Sequence, residues 1–284
     1  MTKRHSEKGF TLVELAISLT IIGLLIGGIL KGRQMMENGR VAAAISQVAA
    51  VKAGMTTFIG TYNGLPGDLK NAGTRIPNCS NCTFSPGIPT VGDGFVGFPN
   101  WNLSTSQGRI RLSAPPDNTE NETLLFWAEL AQSGLMSGIT YNGDNIPGNS
   151  AKFGEHTPEA RIGGGWIVGQ ADGAVAHFPP LVSTPSAAVP RPIGLFLVLA
   201  PSPIQNLNTA TGVQVLNPLS AAAIDSKIDD GKAMTGSVIA YGFNHATSTT
   251  TGCFAVGSTR PEPPRPYNET VDSQDCGLFV QINN

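Results

Sequence analysis

The chain has 284 residues and a formal net charge of −2, room for one membrane element plus one globular domain. So little positive charge excludes the basic footprint that neutralising a phosphate backbone requires, and no nucleic-acid partner is expected. With 40% apolar and only 13% charged residues, wholesale disorder is excluded, while Gly 34 and Pro 21 indicate a turn-rich, β-leaning chain.

Met1 to Gly9 carries Lys3, Arg4 and Lys8 against Glu7, and the run from Phe10 to Leu30 holds Glu14 as its one ionisable side chain. A helix of that run is roughly 32 Å long, which matches the ~30 Å hydrocarbon core of a bilayer. Its end, Ile29-Leu30-Lys31-Gly32-Arg33, lacks the small-x-small site of a secretory signal, so the apolar segment is expected to stay attached. Positive charge on the short side keeps that side cytoplasmic and places the rest of the chain beyond the membrane. Glu14 stands out, because a carboxylate within an apolar span costs about 2.5–3.5 kcal/mol near its centre and calls for a partner. Arg4 and Lys8 reach it only by snorkelling. A cut between Gly9 and Phe10 creates an α-amino group four residues before Glu14, on the same helix or on a neighbouring copy.

The basic leader, Gly9, Phe10, Thr11, Leu12, Val13, Glu14 and the unbroken apolar run resemble the signature of type IV prepilins and type II secretion pseudopilins. The resemblance implies cleavage after Gly9 by a prepilin peptidase, N-methylation of Phe10, and Glu14 as the assembly carboxylate. It implies a structural filament subunit rather than an enzyme, with other pilin subunits and an inner-membrane assembly platform as partners. The precursor is then single-pass in the inner membrane, and the assembled filament is periplasmic or extracellular. A rival reading is a membrane-anchored extracytoplasmic enzyme or carbohydrate-binding protein that uses the helix only as a tether.

From Lys31 to Thr61 no proline interrupts the chain, and Val41, Ala44, Val48, Val51, Met55 and Phe58 recur at spacings of three and four. One helix is therefore expected over 10–62, with 10–30 spanning the membrane and the later stripe packing on a head at 63–284. Gly23, Gly27 and Gly28 permit close helix approach within the span. Gly32 and Gly39 weaken the helix beyond it and make a bend there unsurprising. At Asn63-Gly64-Leu65-Pro66-Gly67-Asp68 the helix is expected to stop, with Gly64 as left-handed cap and Pro66 as breaker.

In the head, Thr119 with Glu122 forms a capping-box pattern for a helix at 120–135, along which Leu124, Ala128, Ala131 and Leu135 form the apolar row. Asn217 and Pro218 open a third helix to about Ile228, with Gly231 at its exit. Strands are expected at 166–168, 193–199, 236–243, 253–256 and 277–282, and surface loops at 74–117, 140–161 and 244–275. The fold class is α+β, a long N-terminal helix packed on a mostly antiparallel, pilin-like sheet.

Four cysteines beyond a membrane segment lie in an oxidising compartment, where three pairings are open; we favour sequence neighbours, Cys79 with Cys82 and Cys253 with Cys276. A C-terminal disulfide loop of the second kind resembles that of many type IV pilins. The close pair Cys79 and Cys82 also suits half a zinc site or a redox motif, although the other two cysteines are too far apart for a four-cysteine zinc site. Asp225, Asp229 and Asp230 before Gly231 are the best metal candidates, of the hard-oxygen type that suits calcium. Calcium in a C-terminal loop is also known among pseudopilins. Lys227 and Lys232 offer the reading we favour, a solvated helix end with local ion pairs.

No catalytic constellation is visible. His156, His177 and His245 are scattered on loop-like sequence and read as surface residues, and no nucleophile elbow or phosphate-binding loop is present. Gly163, Gly164 and Gly165 precede an apolar strand instead of opening a helix after one, the reverse of a dinucleotide fingerprint.

Overall fold

The structure, a computed structural model, describes residues 11–82, 92, 94–96, 122–143, 151–172, 193–203, 213–242, 252–254 and 266–283. The chain divides into two units, Met1–Arg40 and Val41–Asn284, the second called the head below. The first helix, α1 (Leu12–Tyr62), contributes to both and runs through Gly32 and Gly39 without a break. Its buried residues in the head are Val41, Ala44, Val48, Val51, Gly54, Met55 and Phe58, the stripe that the three-four spacing marks out. The helix ends one residue earlier than the glycine suggests. Asn63 takes the left-handed conformation (φ 52°), and its N–H donates to Ile59 O at 2.8 Å, so Gly64 is not the cap. Asparagine tolerates that region better than other side chains, which is why it replaces glycine here.

Among the described residues three further helices follow: α2 (Ala72–Arg75), α3 (Glu122–Gln132) and α4 (Pro218–Ile228). α3 is buried from Glu122 to Leu130 on every side, so its row of four apolar residues understates the burial. Thr119, the expected cap, lies outside the described residues. α4 begins as its sequence indicates: the side chain of Asn217 accepts the Ser220 N–H, and Pro218 takes the first helical position, where no N–H is needed.

Four strands among the described residues, β1 (Gly165–Asp172), β2 (Ile193–Ala200), β3 (Val238–Gly242) and β4 (Cys276–Gln281), form one antiparallel sheet in the order β1-β2-β4-β3. The architecture is α+β and pilin-like. Of the five expected strands, the 253–256 stretch is reduced in its described part to a single bridge, Phe254 to Tyr267. Strand alternation sorts the sheet's side chains into two apolar layers. Trp166, Val168, Leu195, Leu197, Leu199, Val238, Ala240, Leu278 and Val280 join the core that also holds α1, α3 and α4 residues. Ile167, Phe196, Val198, Ile239, Tyr241 and Phe279 pack on the opposite face. Burial on both faces explains why β2 reads as a continuous apolar run instead of an alternating one.

Direct contact with the sheet is made by α3 against β1 and by α4 against β3 and β4. Gly54 of α1 lies close to Leu130 of α3 and to Leu135 at its exit. On β4, a side chain at Gly277 would fall inside the ring of Tyr241, whose hydroxyl donates to Leu199 O at 2.6 Å; the position therefore admits only glycine.

The expected surface loops are not all surface. Ile76, Cys79, Cys82, Val96, Tyr141, Ala151, Phe254 and Tyr267 are buried apolar residues that pin those stretches to the core.

Candidate functional site

The residues singled out near the N-terminus occupy the start of α1. Gly9 and Phe10 lie outside the described residues. Thr11 directly precedes α1 and Glu14 sits in its first turn. Thr11 N and Thr11 Oγ1 both donate to Glu14 Oε2, at 3.0 and 2.9 Å, and Glu14 N donates back to Thr11 Oγ1 at 3.2 Å. This is a reciprocal capping box, which satisfies N–H groups that a helix start otherwise leaves without partners. The other Glu14 oxygen, Oε1, accepts from none of the described residues. The negative carboxylate also lies at the positive end of the helix dipole, so the position suits it electrostatically.

Below this cap the helix presents apolar side chains to its surroundings, from Leu12 at 86% exposure through Ile17, Leu24 and Leu30. It is the one described helix long and apolar enough to cross a membrane. Its two hydroxyls are satisfied internally, Ser18 Oγ on Glu14 O at 2.8 Å and Thr20 Oγ1 on Ile17 O at 2.8 Å. Gly23, Gly27 and Gly28 have open space where a Cβ would stand, with no described residue within 4 Å. A family model described as the prokaryotic N-terminal methylation motif matches residues 4–30.

The chain carries the type IV prepilin signature. No curated protein and no solved structure matches it significantly. Thr11 and Glu14 both fall within the matched residues. A Thr with Glu three places on is the capping-box pattern, and the Thr11-to-Glu14 bonds realise it.

The cysteines are joined as Cys79–Cys82 and Cys253–Cys276, with Cα atoms 5.1 and 4.9 Å apart. Cys79 and Cys82 are at most 1% exposed, so their bond is closed to the attacking thiolate that redox exchange needs.

Asp225, Asp229 and Asp230 come together at the C-terminal end of α4, with one oxygen from each within 4.8 Å of the others. Ion pairs with Lys227 and Lys232 are not formed among the described residues. Hydrogen bonds stand in their place. Asp225 accepts from Gly231 N at 3.2 Å and from Tyr267 Oη at 2.8 Å. Asp229 accepts from Ser237 N and Val238 N, and Asp230 from Lys232 N and Thr235 Oγ1. Each acid thus shapes a turn, because N–H groups lie nearer than the two ammonium tips. Asp225 is fully buried, and burial pushes its carboxyl up to about 6 against the lowering effect of the Tyr267 and Gly231 donors.

Two histidines, His177 and His245, lie outside the described residues. His156 is buried rather than on the surface: its Nδ1 accepts the Lys152 N–H at 3.2 Å, its ring lies against Tyr141, and burial lowers its proton affinity.

Two further groupings were not legible as functional. Gln47 of α1 donates to Glu159 O at 2.9 Å and accepts from Arg161 N at 3.0 Å and Trp166 Nε1 at 3.3 Å, tying the entry of β1 to the helix. Glu129 of α3 accepts the Gly67 N–H at 2.7 Å from the turn after α1. A lone acid in the apolar run Leu124-Leu125-Phe126-Trp127-Ala128-Glu129-Leu130 was the available signal.

Proposed function

We propose that this protein is a structural subunit of a type IV pilus or type II secretion pseudopilus, made as a membrane-anchored precursor and cut after Gly9 by a prepilin peptidase. Phe10 becomes the methylated N-terminus, and the short basic leader faces the cytoplasm before the cut. An inner-membrane assembly platform then draws the α1 segments of successive copies together. The two disulfides support a head in an oxidising compartment, the periplasm or the cell exterior. Assembly, and not turnover, is the activity.

The observation that carries this reading is the exposed apolar segment of α1 starting at a cap whose Glu14 has one oxygen to spare. Moving apolar side chains from lipid to sister helices exchanges one apolar surroundings for another, so area alone supplies little drive. Specificity has to come from packing, to which Gly23, Gly27 and Gly28 contribute, and from charge. A carboxylate held at the helix start pairs with the cationic amine of Phe10 on an adjoining copy in a setting of low dielectric, where such a pair is strong.

Mass spectrometry of the isolated protein tests the processing: a methylated Phe10 at the N-terminus is expected, and an intact leader would favour the tether alternative. Glu14→Leu is expected to insert into the membrane as the wild type does and to reduce incorporation into filaments at least tenfold, the effect of losing about 1.4 kcal/mol per added subunit. Wild-type filament yield from Glu14→Leu would remove that residue from the mechanism.

A further inference from the structure

The turn that follows α1 is held by a carboxyl group with no counter-charge among the described residues. Glu129 is fully buried in the head; its Oε2 accepts the Gly67 N–H at 2.7 Å, and its Oε1 has no hydrogen-bond partner among the described residues. The titratable groups acting on it from the elements around it are both acids, Asp68 from the turn itself and Glu122 from the first turn of α3, and both are buried. Asp68 in turn receives the N–H groups of Gly92 and Gly94. No lysine, arginine or histidine among the described residues pairs with Glu129. Gly67 is pressed against α3 so closely that a Cβ there would lie 2.9 Å from Phe126 N, and closer still to Glu122 O.

A lone charge in such a place loses its hydration and gains nothing in return, so the group takes up a proton instead. Burial first, with Asp68 and Glu122 adding to it and the Gly67 donor opposing, pushes the Glu129 carboxyl up to about 8. Oε2 already serves as acceptor, which leaves the proton to Oε1.

We propose that Glu129 is a proton-operated latch on the Pro66–Asp68 turn: the neutral carboxyl holds Gly67 against α3, and loss of its proton sets an unpaired charge beside Asp68 and Glu122 and loosens the junction. This inference stands apart from the filament reading, since it concerns contacts within the head alone.

The test is urea unfolding of the full chain in detergent micelles, wild type against Glu129→Gln, over a series of pH values and read by tryptophan fluorescence. An exposed glutamate titrates near 4.5 and this one near 8, so its stabilising contribution is complete below the first value and is lost as pH rises through the second. Between them unfolding releases one proton. The wild-type unfolding constant, relative to Glu129→Gln, is therefore expected to rise about tenfold per pH unit from about pH 5 to about pH 8 and to level off above. Because the comparison is with Glu129→Gln, the contribution of Asp225 cancels. Parallel pH curves for the two proteins overturn the proposal. Should Glu129→Gln not fold, infrared spectroscopy of the wild type decides: a protonated-carboxyl carbonyl band that disappears with a midpoint near 8 upholds the latch, and absence of the band at pH 7 overturns it.

Discussion

Replacing Gly67 with alanine loads the turn after α1 from three directions, and each has a size. The residue sits at φ 83°, where an L side chain costs roughly 1–2 kcal/mol. The new Cβ would stand 2.9 Å from Phe126 N and nearer to Glu122 O, both backbone atoms of a buried helix that cannot rotate away. Forcing that space open is overpacking, typically 1–3 kcal/mol. Moving the turn outward to relieve it lengthens the Gly67 N–H bond to Glu129, worth about 1 kcal/mol. The sum, roughly 3–6 kcal/mol, is comparable with the whole stability of an ordinary domain. Urea unfolding of the full chain in detergent gives the assay, because Trp127 and Trp166 are buried and report loss of the core. Gly60→Ala is the control: it lies in α1 with open space around it, so it should stabilise by up to about 1 kcal/mol. A Gly67→Ala protein that unfolds within about 1 kcal/mol of wild type would show that the turn yields easily and that the reasoning about its close approach is wrong.

The two disulfides should differ in worth. Cys253–Cys276 spans 23 positions and Cys79–Cys82 only three, so in the chain-entropy model the paired serine variants lose about 3 and about 2 kcal/mol respectively; equal urea midpoints would contradict this. Tyr267→Phe removes the hydroxyl that binds Asp225 and leaves the ring in place. The Asp225 carboxyl is raised to about 6, so it is neutral at pH 4.5 and ionised at pH 8, and its own contribution to stability falls as pH rises through 6. A hydroxyl bonds a carboxylate more strongly than a neutral acid, so Tyr267→Phe should cost about 1 kcal/mol at pH 4.5 and about 2 at pH 8. A loss independent of pH in paired thermal melts would mean that Asp225 does not change charge over this interval.

Much of the architecture could be read directly from local patterns. The apolar run of α1, its three-four stripe from Val41 to Phe58, the Asn217-Pro218 start of α4 and the positions of the four strands depend on periodicity and capping, which involve residues a few places apart. The prepilin signature is local in the same way, a junction and an acid four residues beyond it. Local patterns misplaced two residues whose surroundings only the folded chain supplies. Gly64 looked like the cap because glycine is the commoner choice, but the asparagine before it took the left-handed conformation. His156 looked exposed because its loop is polar, yet Tyr141 and the Lys152 N–H enclose it.

What the amino-acid order determined by itself is the apolar start of α1, its acid and the succession of helices and strands, since each follows from the chain's own spacing. The tertiary structure decided the strand order β1-β2-β4-β3, the burial of α3 on every side and the meeting of Glu129 with Gly67 across 62 positions. Those depend on which surfaces exclude water together, and a carboxyl group changes character only when the residues that strip away its water are folded around it.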